Sequence, residues 1–297
     1  MNIFVTGATG WIGSAVTPEL ISRGHRVTGL ARSDRSAATL EAWGATALRG
    51  ELSDLDVLRA GADAAEGVVH LGFSHDFSDF AGAGRTERAA VQAFGDVLSG
   101  SDRPLLIASG IWRSPHDVLT EEVRLADGGV DAPRGSSEAL ALSFADRGVR
   151  AIAGRFARTV HGHGDHGFVA ALAAVAREKG VSGYPGDGAG RWTAVHRTDL
   201  ARLVRLALEN APAGTVVHGV AERGIPAWAL AEGIGRALGL PVASIDPADA
   251  PEHFGWMSML FGDDVPASSA RTQELLGWYP DQPTILEDLA AGAYGTA

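Results

Sequence analysis

The segment "MNIFVTGATGWIGSAV" constrains the fold of this chain more than any other. A short apolar run ends in Gly7, and Gly10 and Gly13 follow at three-residue intervals before a stretch of helical periodicity. This spacing between a strand and a helix supplies a tight turn, a backbone that a ligand approaches without meeting a Cβ, and free N–H groups at a helix N-terminus. A dinucleotide pyrophosphate needs all three. Elsewhere in a chain the same glycines would mark only a structural turn; their place between the first strand and the first helix makes Gly7, Thr9, Gly10, Trp11, Ile12 and Gly13 candidate cofactor contacts.

The pattern then repeats. "HRVTGLAR", "ATALRGEL", "EGVVHLGF", "RPLLIASG" and "VRAIAGRF" have the apolar character of buried strands, and helical segments such as "SAATLEAWG", "DLDVLRAG" and "RTERAAVQAFGDVLSG" separate them. Such βα alternation predicts an α/β fold, a Rossmann-type doubly wound parallel sheet with helices on both faces. Ligands of such sheets gather beyond the carboxyl ends of the strands. Past residue 160 the pattern loosens into helices at "FVAALAAVAREKG", "TDLARLVRLALEN", "PAWALAEGIGRALG" and "SSARTQELLG", with a strand at "GTVVHGVA". The expected organisation is a dinucleotide-binding core over 1–160. An interleaved, smaller C-terminal substrate lobe over 161–297, not cleanly separable, carries further sheet-packing elements.

Composition narrows the partners. A net charge of −11 argues against nucleic acid and anionic membrane surfaces, which require basic patches. No run approaches the roughly 18 apolar residues of a membrane helix, and the first strand starts too early for a signal peptide. The absence of cysteine excludes disulfides, thiolate nucleophiles and cysteine metal sites. A cytoplasmic enzyme acting on a small molecule, as monomer or homodimer, is the expectation.

Cofactor choice is addressed by "ARSDRSAATL". An acidic residue after the second strand would hold the 2′-hydroxyl of NAD, and here Arg32 and Ser33 stand in that place, with Arg35 nearby. A guanidinium pairs with a 2′-phosphate that a carboxylate would repel. The expected cofactor is NADPH, although Asp34 keeps dual use open.

"TGATGWIG", followed by "RGEL", "VVHLG", "IASG" and "GRFARTVHGHGDHGF", resembles the extended short-chain dehydrogenase/reductase superfamily over almost the whole chain. The resemblance implies that Glu51 and Leu52 border the adenine, that Leu71 and Gly72 line the adenosine side, and that Ala157 and Val160 lie near the nicotinamide. It also implies a Tyr-x-x-x-Lys pair, the tyrosine giving a proton to a carbonyl oxygen and the lysine lowering its pKa. Here the sequence departs from the pattern. The tyrosines are Tyr184, Tyr279 and Tyr294 and the one lysine is Lys179, none at that spacing. Arg134 and Glu138 occupy the region instead, and their i,i+4 spacing predicts an exposed helix-face ion pair. Ser109 falls close to the family's catalytic serine or threonine. This atypical pattern is similar to that of ketoreductases acting on angucyclinone polyketides. That likeness implies NADPH-dependent reduction of a ketone on an aromatic polyketide, as in antibiotic biosynthesis, with no protein tyrosine as acid.

Other groups compete for chemistry. His161, His163, Asp165 and His166 in "HGHGDHG" have ligands enough for Zn²⁺, but alternating glycines fix no geometry, and a polar pocket wall with His161 or His166 as acid/base is the preferred reading. His75 beside Asp76 is a further acid/base candidate near the expected mouth. Phe73, Ser109, Trp112, Phe168, Trp192, Phe254 and Trp256 are candidate substrate contacts suited to a flat aromatic ligand. Two other readings remain: a sugar-nucleotide epimerase or dehydratase, and a redox-silent NADP(H) sensor.

Overall fold

The computed structural model describes residues 1–74, 79–114, 117–124, 128–130 and 135–294, with the backbone alone at 80 and 135. Its centre is a seven-stranded sheet of β1 (Asn2–Thr6), β2 (Arg26–Ala31), β3 (Thr46–Arg49), β4 (Gly67–His70), β5 (Pro104–Gly110), β6 (Arg150–Phe156) and β10 (Thr215–Gly219). The order is β10-β6-β5-β4-β1-β2-β3 and every pairing is parallel. This is the expected Rossmann-type α/β fold. Strands covered on both faces need near-continuous apolar sequence, and "GVVH" in β4 and "PLLIASG" in β5 are buried almost throughout.

Helices cover both faces. On one side α1 (Gly13–Ser22) packs against α7 (Arg197–Asn210), joining Val16 and Leu20 to Leu200, Leu203 and Val204. On the other, α3 (Leu55–Asp63), α4 (Phe80–Leu98) and α5 (Gly135–Ser143) close a second core around Phe4, Leu58, Phe94 and Phe144. A nine-residue helix, α2 (Asp34–Ala42), is capped by Ser33, whose hydroxyl accepts the Ser36 N–H. Chain order reverses across β1 and β4, the switch point at which such sheets open a ligand crevice.

The remaining elements build the lobe. A three-stranded sheet pairs β9 (Arg191–His196) in parallel with β7 (Thr159–His161) and antiparallel with β11 (Glu222–Pro226). A two-stranded one joins β8 (Ser182–Pro185) to β12 (Val242–Ile245). Around them lie α6 (Phe168–Lys179), α8 (Ala227–Leu238), α9 (Ala250–Phe254), α10 (Ser258–Phe261), α11 (Ala270–Leu276) and α12 (Ile285–Ala290). No helix of the described residues is long and apolar enough to cross a membrane.

Close packing of α4 on the turn after α5 makes a test. A Cβ on Gly95 would sit 2.2 Å from the ring of Phe144, itself 1% exposed. Helix propensity alone favours alanine over glycine by about 1 kcal/mol, but overpacking costs about 1–3 kcal/mol. Gly95→Ala should therefore lower the urea midpoint, and a raised midpoint would show that the Phe144 contact yields.

Candidate functional site

The glycine turn sits at the switch point. Gly7 adopts φ +66°, and a Cβ there would lie 2.7 Å from the Gly72 nitrogen and 2.8 Å from the Leu71 carbonyl carbon. At Gly13 a Cβ would come within 2.0 Å of the Gly7 oxygen, so only glycine lets α1 start against the turn. Thr6 links the neighbouring strand: its hydroxyl lies 2.6 Å from His70 Nδ1 and accepts the Gly72 N–H at 3.2 Å. Leu52 stands against Gly72, whose Cβ would meet it at 2.9 Å. Gly7, Gly10, Gly13, Leu52, Leu71 and Gly72 thus converge on one crevice at the N-terminus of a ten-residue helix. Thr9 and Ile12 are half-buried in the same turn, and Glu51 is exposed, its N–H donated to Asp54.

Trp11 points across the crevice. Its indole N–H donates to the Val160 carbonyl at 2.6 Å, the guanidinium of Arg197 lies 4.5 Å over its ring, and His166 packs edge-on at 5.4 Å. The phosphate-type turn is thereby tied to β7, with Ala157 buried a few residues before it. Beyond β2, Arg32, Ser33 and Arg35 are all exposed at the start of α2. Asp34 meets Arg49 at 3.1 Å, whereas Arg32 and Arg35 hold no ion pair among the described residues.

At the carboxyl ends of β5 and β6 the arrangement departs from expectation. Glu138 is 1% exposed and belongs to no surface pair. Both its oxygens accept from Arg155 on β6, at 3.0 and 3.1 Å from Nε and 2.6 Å from one terminal nitrogen, and Arg155 is itself fully buried. Arg134, the expected partner, lies outside the described residues. The expected exposure of Glu138 is overturned because its carboxylate points inward from α5 and meets a guanidinium that a buried strand carries. Arg155 also donates to the Val123 carbonyl at 2.8 Å and reaches His218 Nε2 at 3.4 Å. Burial pushes His218 down to about 4, so the ring is neutral and its Nδ1–H donates to the Ser268 carbonyl at 2.7 Å. Ser109 is 4% exposed at the end of β5. Trp112 is half-buried under Arg155, at 5.8 Å.

The histidine loop also needs correction. His161 is fully buried; its Nδ1 lies 2.7 Å from Asp288 of α12 and its Nε2 3.6 Å from Glu222 of β11. Burial alone would lower this imidazole, but Glu222 and Asp288 outweigh it and hold the ring above its usual range. A sealed ion pair inside the lobe is no solvent-reaching acid, so His161 is structural. His163 is exposed, Asp165 accepts from the Tyr294 hydroxyl at 2.6 Å, and exposed His166 rests on Trp11, so the members have separate partners. His75 and Asp76 fall outside the described residues.

Among the aromatic candidates, Trp192 and Phe254 are 1% and 2% exposed and pack on Phe261 at 5.4 Å each. They are lobe core, because strand β9 and helix α9 turn them inward. Phe168 is half-buried between Trp192 and Trp256, and Trp256 is 51% exposed. Phe73 is half-buried at the end of β4. Of the aromatic candidates, Phe73, Trp112, Phe168 and Trp256 keep solvent-accessible surface.

These features define an α/β protein with a Rossmann-type parallel sheet. Residues 3–101 match the "NAD dependent epimerase/dehydratase family". An uncharacterized protein of Schizosaccharomyces pombe is 45% identical over 296 residues, covering 99% of this chain and 100% of its own. A second, from Saccharomyces cerevisiae, is 45% identical over 298 residues, covering 98% of each. The UDP-glucose 4-epimerase of Thermotoga maritima, solved with UDP-glucose, matches 99% of this chain and 98% of its own at TM-score 0.72 and 21% identity, a likeness of fold. The chain belongs to one family with these two uncharacterized yeast proteins over its whole length, and the match to the NAD dependent epimerase/dehydratase family covers its N-terminal third.

Removing one member of a buried ion pair strands the other charge at about 3–5 kcal/mol, whereas replacing both with apolar groups is often neutral. Glu138→Gln should therefore destabilise the fold by that order in chemical denaturation, and joint replacement of Glu138 and Arg155 by Met should restore most of it. A cost below about 1 kcal/mol for Glu138→Gln would show that water reaches the pair.

Proposed function

We propose that this chain is an NADPH-dependent carbonyl reductase that works without a protein tyrosine as proton donor. The observation that carries the reading is the glycine turn at the start of α1 together with two exposed arginines at the start of α2, Arg32 and Arg35, that hold no ion pair among the described residues. A nicotinamide dinucleotide would suit this turn: Gly7 and Gly13 let the turn close tightly on β4 and α1, the helix N-terminus would face the pyrophosphate, and the arginines would meet a 2′-phosphate. Bound there, the reduced cofactor would supply a hydride.

The chain's own residues set the rest. Glu138 is committed to Arg155, and the tyrosines stand elsewhere: Tyr184 in β8, Tyr279 exposed, and Tyr294 bonded to Asp165. A carbonyl oxygen that gains charge as its carbon accepts hydride still needs a donor. A phenol adjacent to the ketone on the substrate provides one, giving its proton to the new alkoxide and recovering it from water. Phe168 and Trp256 suit such a ring, and an aromatic polyketide ketone is one substrate of this kind. Orientation then contributes most of the rate, since hydride donor and carbonyl carbon must approach to about 3–3.5 Å. We extend the reading to a cytoplasmic enzyme acting as monomer or homodimer.

Cofactor choice gives one test. NADPH should bind far better than NADH, and Arg32→Asp should weaken NADPH selectively by about 1.5–3 kcal/mol, the worth of a charge-assisted hydrogen bond. Equal affinities in the wild type would remove the assignment. Turnover gives another. Of two matched aromatic ketones, one with an adjacent phenol and one with that hydroxyl methylated, only the first should be reduced efficiently. Similar rates would mean that a side chain supplies the proton.

A further inference from the structure

Three arginines stand where a charged substrate would enter. Arg113 follows β5, Arg158 follows β6, and Arg191 opens β9. The first two lie beyond the carboxyl ends of the sheet strands, where α/β proteins bind ligands. All three are already occupied. Asp263, just past α10, holds Arg113 at 2.8 Å and Arg158 at 3.2 Å. Asp264 accepts from Arg191 through three bonds, from Nε at 2.8 Å, a terminal nitrogen at 2.8 Å and the backbone N–H at 2.9 Å. Asp117, on the segment after β5, takes the same terminal nitrogen at 2.7 Å. The three guanidinium groups thus face three carboxylates, and the group is electrically balanced.

The contacts of Arg158 and Arg191 are too specific for incidental surface pairing, whereas Arg113 is 70% exposed. The Arg191–Asp264 contact is a bidentate fork, the strong form of this bond. Arg158 is only 11% exposed and its guanidinium lies 5.6 Å over Trp192, so it cannot swing freely. Main-chain bonds keep the partners in place: Val265 donates to the Arg191 carbonyl at 2.8 Å, and Arg158 donates its backbone N–H to the Thr193 hydroxyl at 3.0 Å. Beside this clasp lies a cavity of about 360 Å³, bordered by Gly190 and Gly262, the residues next to Arg191 and Asp263. Its one ionisable lining residue is Asp187, a carboxylate.

We propose that Asp263 and Asp264 are specificity-determining residues that neutralise Arg113, Arg158 and Arg191 and so close this face to nucleoside diphosphate sugars, leaving an uncharged carbonyl compound as the substrate class. A diphosphate entering here would have to displace carboxylates from arginines while facing Asp187. This inference rests on the carbonyl-reductase reading for its reaction, and its test uses binding, so that a failure to find turnover leaves the result interpretable.

The experiment is calorimetric titration of UDP-glucose into the protein saturated with NADP⁺, which keeps the nucleotide out of the cofactor crevice. Wild type should give no saturable heat up to about 1 mM ligand, an affinity near the weak end of specific binding. Asp263→Asn and Asp264→Asn, made singly so that loss of fold in one leaves the other to decide, each free guanidinium charge without changing side-chain shape. Either should bind UDP-glucose at least tenfold more tightly than wild type. Saturable wild-type binding would overturn the inference. So would a variant that still binds NADP⁺ yet gains no affinity for UDP-glucose.

Discussion

The ion pair between Arg155 and Glu138 is the contact on which the ligand side of this molecule depends. A buried guanidinium is tolerated only when its donors are met, and a buried carboxylate only when it is paired. Arg155 meets Glu138 of α5, the Val123 carbonyl and His218 of β10. His218 in turn holds Ser268 through its side chain, and its backbone N–H donates to Thr272 of α11 at 2.8 Å. Thr272 donates its hydroxyl and its N–H to buried Glu121. One charge therefore fixes a helix, two strands and the segment after β5 against the lobe. In the resemblance to tyrosine–lysine reductases, the lysine position is the one that Glu138 fills.

The strand, glycine turn and first helix were legible because their determinants are local. Glycine spacing, the strand before it and the helix after it lie within sixteen consecutive residues. The arginines after β2 follow directly from strand order. The convergence of Gly7 with Leu71 and Gly72 also follows, since a parallel sheet aligns the ends of β1 and β4. The lobe was less legible. Strands β7, β8, β11 and β12 have three to five residues, two of them with proline or glycine inside, so they carry little periodicity. Glu138 was misplaced because its partner is 17 positions away, beyond any helix spacing. A signal for Arg155 did exist: a lone charge inside the apolar run "VRAIAGRF" on a strand covered from both sides. Such a charge must be paired, although sequence does not say with what.

Aromatic residues show the same limit from another side. Trp192, Phe254 and Trp256 have similar surroundings in sequence, yet burial separates them as core, core and surface. Only the orientation of β9 and of the short helices at 250–261 decides which ring faces a ligand. The acidic residues behave likewise. Asp263 and Asp264 are a charge run that in sequence suggests a solvated loop, and in the fold each meets arginines more than seventy residues away.

Trp11 joins the two halves. A tryptophan inside a phosphate-binding turn has no role in the turn itself, whose work is done by glycines and N–H groups. Here the ring spans to β7, bonding Val160 and lying under Arg197 at the start of α7. Val160 precedes His161, whose imidazole is clamped between Asp288 and Glu222. The chain of contacts runs from the first glycine turn, through one indole, to an ion pair that anchors the last helix of the lobe. Each link is a directional bond or a buried charge, so the lobe cannot pivot far without breaking one of them. In the proposed reading, a site without a protein proton donor would depend on how well it holds cofactor and carbonyl in register. The coupling of the glycine turn to the lobe through Trp11 would supply that register from the fold itself.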